Sequence, residues 1–415
     1  MTNFLHVAHF QIERADRNEN EAVSDVGTIA KASTPLPATN QNGTTPKPET
    51  PSPVALEQEK KESTPVPPPS ITPQVTLQVP EIRASRSVTP ASNYSEEPSY
   101  THIRLILLGA AESGKTTVLE QVRLLYNQKF KESEYYHRRA FIYHNVFKSI
   151  RALCRAQKLS DIKFTDPINM GRAQSIIADE DSHYGMFPPD LVEKIKCIWQ
   201  DKSMQKLYAR RSQFNLNDSA SYFLNQIDTI TRPDYMPSER DLIMAYVPTC
   251  GVQNVIFTAS NQSFQLFDIG GQKIDRRKWA TQYDGIDAIF FCLAISEYDQ
   301  VMNEDMVTNR LDDALALLQK ISDEQMFATT PIYLFLNEID VFCEKLQEIP
   351  LEKYRSDYQG GDADDALDFM ENLACGALGR RDKSLYRVYR CMAIDTRLMA
   401  DILATVFKDI MKRKK

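Results

Sequence analysis

The chain has 415 residues, which at roughly 100 to 200 residues per domain predicts two or three structural units rather than one. A formal net charge of -7 provides no overall basic footprint, which argues against nucleic acid as a partner. Seven cysteines, at 154, 197, 250, 292, 343, 375 and 391, form no CxxC pair, so reduced thiols are expected rather than a disulfide framework or a zinc site.

Residues 1–100 hold 14 of the 22 prolines but only 4 of the 39 aromatic residues. Such a segment buries too little apolar surface to offset the entropy of ordering it, and a disordered Pro/Ser/Thr-rich arm is expected. Thr34, Thr45, Thr50, Ser52, Thr64, Thr72 and Thr89 each precede proline, and Pro67-Pro68-Pro69 follows Val66. That pattern suits an extended linker, or a phosphorylated or PxxP-type docking arm. The longest apolar run, Ala288 to Ile295, has eight residues against the ~18 a membrane span needs, and no signal peptide is evident. Met1-Thr2-Asn3 lacks the glycine that myristoylation requires, and no cysteine before Cys154 offers a palmitoylation site. A cytoplasmic protein with at most peripheral membrane contact is expected.

After Tyr100 the pattern changes. His102 to Leu108 is a short apolar run of the kind a strand buried on both faces shows. Phe264–Phe267, Ala288–Ile295, Pro331–Leu336 and Tyr386–Ile394 are similar, and helical spacing separates them at Asp305–Ile321 and Thr396–Met411. Alternating strands and helices predict an α/β fold with a mostly parallel sheet flanked by helices. Between Phe130 and Asp241 the alternation stops, and Glu132–Lys158, Pro189–Gln200 and Asp218–Ile230 read as consecutive amphipathic helices. An all-α segment inserted into the α/β domain is predicted.

Gly109-Ala110-Ala111-Glu112-Ser113-Gly114-Lys115-Thr116 follows the first strand, matches GxxxxGK[ST] and precedes a helix. Glycines let the loop N–H groups turn inward, the helix N-terminus favours anions, Lys115 reaches the β and γ phosphates, and the Thr116 hydroxyl suits Mg²⁺. Asp268-Ile269-Gly270-Gly271-Gln272 closes the third strand. There Asp268 suits a Mg²⁺-bound water, the Gly271 N–H the γ phosphate, and Gln272 an attacking water. Asn337-Glu338-Ile339-Asp340 follows a later strand, and its Asp can accept from the ring N–H and exocyclic amine of guanine, a donor pair adenine lacks. Cys391-Met-Ala393-Ile-Asp395-Thr396 would bring the Ala393 N–H near the guanine oxygen.

With these motifs in order, residues 102–415 resemble the alpha subunit of heterotrimeric G proteins. Phe214–Leu224, Arg276-Arg-Lys-Trp279, Tyr298–Asp305 and Asn309-Arg310 extend the likeness. The resemblance implies a P-loop GTPase domain in two pieces, 101–129 and 242–415, interrupted by a helical domain at 130–241, with 1–100 as the arm. It implies GTP or GDP with Mg²⁺, the metal held by Thr116, Thr249 and Asp268, and Gln272 as the catalytic residue. Nucleotide contacts are implied for the phosphate loop through Thr117, for Asp218 and Ser219, and for Ile243, Met244, Ala245, Tyr246, Val247, Pro248 and Thr249. They are also implied for Asp268 to Gly271, for Asn337 to Asp340 and for Ala393. A beta-gamma dimer, a G-protein-coupled receptor and a place at the inner face of the plasma membrane follow as expectations; the effector is unspecified.

Three positions depart from the family pattern. Tyr246 stands where the catalytic arginine is expected, and such arginines are worth roughly 10³ to 10⁵ in rate. Ala111 replaces a glycine beside the γ phosphate. Glu338 replaces the lysine of NKxD, whose charge in the family faces the aspartate matched by Asp218. Slow hydrolysis, a looser contact between the domains and faster exchange are expected; an exposed Glu338 without effect is the alternative. The same residues suit an adaptor with negligible turnover, whereas a P-loop kinase or ATPase would leave NxxD and the helical insertion unexplained. Pro80, Pro90 and Pro98 break any long helix before the phosphate loop, where the family binds beta-gamma. The final helix, Thr396 to about Lys415, ends Lys412-Arg-Lys-Lys415, cations that suit a helix C-terminus or anionic lipid, and altered receptor recognition is expected.

Overall fold

The computed structural model describes residues 102–414 apart from Asn215 and Asn303, so the expectations for residues 1–100 lie outside the described residues. The chain enters on β1 (Ile103–Leu108) and α1 (Lys115–Leu125), then runs through α2 (Glu132–Leu159), α3 (Ile168–Ala178), α4 (Pro189–Gln200) and α5 (Lys202–Tyr208). The short helices α6 (Ala220–Leu224), α7 (Ile227–Ile230) and α8 (Glu239–Met244) complete the all-α stretch. It returns through β2 (Val252–Ala259), β3 (Gln262–Ile269), β4 (Ala288–Ala294), α9 (Arg310–Ser322), β5 (Ile332–Asn337) and α10 (Ile339–Leu346). Last come α11 (Ala363–Ala377), β6 (Tyr386–Arg390) and α12 (Thr396–Arg413).

The sheet has the order β2-β3-β1-β4-β5-β6, with every neighbouring pair parallel except β2 and β3. Successive strand residues face opposite sides, so β1 serves two cores. Leu105 and Leu107 pack with Val118 of α1 and Leu403 and Phe407 of α12, while Ile106 and Leu108 pack with Leu311 and Leu318 of α9 and Met370 of α11. A third core belongs to the helical stretch alone. In α2, Ile142, Val146 and Ile150 recur every fourth residue and meet Ile195 and Ile198 of α4 and Phe223 of α6.

The boundaries differ from expectation at four places, each for a local reason. Asp218–Ile230 is two short helices that break at Asn225 and Gln226. α9 starts at Arg310 rather than Asp305 because the Asn309 side chain caps Asp312 N at 3.1 Å, while Asp305 Oδ1 holds the preceding turn through Val307 N at 3.0 Å. β6 stops at Arg390, and Asp395 then caps α12 through Leu398 N at 3.0 Å. β2 is an unanticipated antiparallel edge strand, mostly exposed, joined to β3 by Ser260 and Asn261, whose positive φ values of 49° and 63° give the tight hairpin turn. Two C-terminal cations are engaged within the fold: Arg413 with Asp409 and Ser384 O, and Lys414 with Asp287.

One carboxylate organises the helical stretch. Asp201 caps α5 through Ser203 N at 2.9 Å and also accepts from Thr165 N at 3.0 Å, Asp166 N at 3.1 Å and Asn169 Nδ2 at 3.0 Å. Burial opposes its ionisation, yet Asn169 and the three backbone donors outweigh burial and hold the carboxyl below its ordinary range. Replacing Asp201 with Ala strands several donors, so urea unfolding is expected to show a loss of about 3 kcal/mol.

Candidate nucleotide site

Close approach dictates the loop after β1. Gly109 and Gly114 have φ of 142° and 92°, and a side chain at either would collide with Cys292 O or the Asn337 amide. A Cβ at Gly271 would collide with Lys115 Nζ and the Ala110 carbonyl. Gly114 is the N-cap of α1 and has no side chain to cap it, so the first-turn N–H groups lack a side-chain partner where Gly114 to Thr117 line the cavity. Lys115 Nζ is buried and donates to Ala110 O at 2.5 Å; burial pushes its pKa down, with Asp268 opposing. Uncapped N–H groups and a desolvated ammonium form a cradle that suits a phosphate chain.

Beneath that loop, Thr116 Oγ1 lies 2.6 Å from both Thr249 Oγ1 and Asp268 Oδ2, and Thr249 lies 3.4 Å from the same carboxylate oxygen. Asp268 is fully buried and its Oδ1 has no hydrogen-bond partner. Burial raises its pKa while Lys115 opposes. Two hydroxyls and an orphaned carboxylate oxygen form an all-oxygen donor set that fits a hard cation such as Mg²⁺.

At the other end, Asn337 donates to Ser113 O at 3.2 Å and accepts from Ala393 N at 2.8 Å, so the Ala393 N–H is directed to Asn337. Asp340 lines the cavity, and burial raises its pKa. The wall from Ile243 to Thr249 is held by α2: Arg138 reaches Leu242 O at 3.5 Å and Ala245 O at 3.4 Å, and Asn145 Nδ2 donates to Tyr246 O at 2.8 Å. The Tyr246 hydroxyl lies near Glu112, and burial together with the Glu112 charge pushes its pKa up, so it remains a neutral phenol.

The cavity between these walls has a volume of about 520 Å³. It is lined by Ala111, Glu112, Gly114 to Thr117, Asp218, Ser219, Ile243 to Thr249, Gly271, the exposed Gln272, Asn337, Glu338, Asp340 and Ala393. Other sequence-predicted residues support it from behind. Ser113 Oγ donates to Ala110 O at 2.9 Å, Gly270 O accepts from Trp279 Nε1 at 3.0 Å, and Ile269 and Ile339 pack into the core below α9.

Sequence reasoning missed Arg310 and Glu297, although Arg310 lay inside a stretch that carried the resemblance. Arg310 pairs with Glu112 at 2.9 Å and with Glu297. Burial pushes Glu297 up to about 7, against the pull of Arg310. It missed Arg211 altogether, because no motif marks that position. Arg211 reaches Glu344 through two hydrogen bonds of 2.8 and 3.1 Å and places Nε 3.6 Å from Asp218.

Glu338 is not an exposed, idle side chain. It adopts φ of 66° and its carboxylate accepts from Ser296 Oγ at 2.5 Å. Asp218, the residue expected to repel Glu338, is also attracted by Lys345 and by Arg211, whose Nε lies 3.6 Å from it.

A model of the G-protein alpha subunit family matches residues 82–411. The chain is 81% identical over 342 residues to the guanine nucleotide-binding protein alpha-13 subunit of Caenorhabditis elegans, covering 82% of this chain and 98% of that protein. It is 80% identical over 339 residues to the protein of the same name in Caenorhabditis briggsae, covering 82% and 97% respectively. The G-protein complex alpha subunit gpaA of Aspergillus fumigatus is 35% identical over 306 residues, 73% of this chain and 86% of that one. The chain belongs to the G-protein alpha subunit family. It is a GTP-binding signal transducer of a class whose members are GTPases.

Burial, then Asp218 and Glu297, push the Glu338 carboxyl well above its ordinary range, although contact with the open cavity relieves part of that penalty. A raised pKa means the folded chain holds this proton more tightly than the unfolded one. The stabilisation is complete below the unfolded value near ~4.3 and disappears as pH rises through the folded value. Melting of the nucleotide-free protein is expected to show Glu338→Gln close to the parent at pH 5 and increasingly more stable than it toward pH 8.

Proposed function

We propose that this alpha subunit cycles between GDP and GTP forms with Mg²⁺ and hydrolyses GTP slowly. The observation that carries the reading is Tyr246, a neutral phenol that lines the cavity near Glu112 at the position where the family supplies an arginine. Lys115, the Gly271 N–H and the N-terminus of α1 would bind the phosphates, and Asp340 would accept from guanine while Asn337 braces the loops around it. Thr116, Thr249 and Asp268 would hold Mg²⁺, which when bound neutralises phosphate charge. Gln272 would orient the attacking water. The Tyr246 phenol has one hydrogen to donate and no charge, so it stabilises the transferring phosphoryl group far less than a guanidinium does. The Ala111 methyl narrows the space for Gln272 and that water.

We also assign to this protein, from its family, a beta-gamma dimer and a receptor as partners and a peripheral place at the inner face of the plasma membrane. Among the described residues no helix is long and apolar enough to cross a membrane.

A second reading, a nucleotide-operated adaptor with negligible turnover, is favoured by the same neutral Tyr246. Single-turnover phosphate release on GTP-loaded protein separates the two. Slow but measurable release is expected, and bound GTP that persists intact would favour the adaptor. Tyr246→Arg is expected to raise the rate on the order of 10²-fold or more; no increase would sink the assignment of slow hydrolysis to Tyr246.

A further inference from the structure

Two sets of contacts join the helical stretch to the sheet body, and they differ in kind. Near the chain crossings, Arg138 pairs with Glu120, and Arg123 holds Glu134 with two bonds of 2.7 and 3.0 Å. Across the guanine end stand two guanidinium groups of the helical stretch: Arg240, which donates to Ile394 O, and Arg211, which pairs with carboxylates. Arg211 belongs to the helical unit, where Leu207 and Leu216 on either side are buried in the helical core. Its guanidinium stacks over Tyr208 at 4.8 Å and is almost wholly buried, with only 6% of the side chain exposed. Glu344, its bidentate partner, sits on α10 directly after the guanine-recognition turn. Arg211 Nε is buried without a hydrogen bond and faces Asp218 Oδ1 at 3.6 Å.

The other candidate cations are committed elsewhere. Lys345 is buried against Asp299 at 2.9 Å and Ser296 O at 2.7 Å, and Arg310 is held by Glu112 and Glu297. Position 338, which carries a lysine in the family pattern, is a glutamate bonded to Ser296. At this fork the cation comes from the helical unit and the bidentate carboxylate from the nucleotide-binding body, while Lys345 of that body also attracts Asp218.

We propose that Arg211, by bridging Glu344 and Asp218, is the clasp that governs nucleotide release, and that the helical unit must break this fork to swing away from the guanine. The inference rests on the guanine-nucleotide reading of the cavity. A planar fork matched to a carboxylate loses both bonds together when the units part, so the contact acts as a threshold rather than a gradual restraint. Glu344 is half exposed, so the clasp weakens as salt rises.

The test uses the full chain loaded with fluorescent GDP and chased with excess GDP. Arg211→Ala and Glu344→Ala are each expected to speed release about tenfold, and the double variant no more than either alone. Arg211→Lys should fall between, because it keeps the charge and loses the fork. Hydrogen exchange on the nucleotide-free protein gives a readout independent of binding: residues 204–217 and 339–346 should exchange faster in Arg211→Ala while the amides of β1 and β4 do not. Unchanged release in variants that still bind GDP, or equal acceleration by strictly additive effects, would overturn the clasp. Absence of GDP binding by the parent protein would instead overturn the reading of the cavity, and the exchange measurement would then decide the clasp alone.

Discussion

The side-chain amide of Asn337 is the point on which the site depends. It emerges at the end of a fully buried strand, donates to the phosphate-loop carbonyl of Ser113 and accepts from the Ala393 N–H. Three loops from three different strands are thereby held in one frame. The approach is so close that Gly114 can carry no side chain, and Gln121 of α1 adds a second tie by donating to Ala393 O at 2.7 Å. Because these polar groups are buried, breaking one bond leaves its partner unsatisfied as well, which costs more than the bond alone. The phosphate end and the base end of the cavity are consequently positioned by the same network rather than by two independent loops.

Charge at the phosphate end is arranged around what Tyr246 does not provide. In this chain Arg310 stands beside the loop as a cation additional to Lys115, and Glu112 and Glu297 neutralise it from both sides. Tyr246 lies near the same Glu112 as a neutral phenol, while Arg138 and Asn145 of α2 hold the wall through its backbone carbonyls. The arrangement separates two properties that one arginine could combine: holding the wall shut and stabilising charge during transfer.

The parts legible in the sequence are those fixed by local chemistry. Runs such as Ala288–Ile295 announce central strands because both faces are buried, and the phosphate loop is legible because glycines, lysine and threonine must occur at set spacings for the backbone to surround an anion. β2 escaped notice because its apolar run, Val255 to Phe257, is only three residues long beside the exposed Gln253 and Asn254, and its Ser260-Asn261 turn is a weaker signal than Asn-Gly. Short helices such as α3 and α10 escaped because tertiary packing, not periodicity over several turns, stabilises them. Glu338 was read correctly as a departure that meets the charge of Asp218, but its bond to Ser296 was not foreseen, since it accompanies a left-handed backbone at that residue. Arg211 was invisible for a more general reason: its partners lie on elements far along the chain, and long-range charge pairing leaves no periodic trace.

The two sets of contacts between the helical stretch and the sheet body also explain how one chain can enclose a nucleotide and still release it. At the crossings, Glu120 is buried on α1 and receives both Arg123 and Arg138, while Arg138 also ties the wall carbonyls of Leu242 and Ala245. Several bonds share few side chains there, so none can break without exposing the others' charges to a low-dielectric setting. Across the guanine end Arg240 adds one bond to Ile394 O and Arg211 carries the ion pair, whose partner Glu344 is half open to solvent, which lowers the penalty of parting. Separation of the units is therefore easier there than at the crossings. The crossings behave as the pivot, and the guanine edge opens first because only the Arg211 fork and the lone Arg240 bond to Ile394 O must give way.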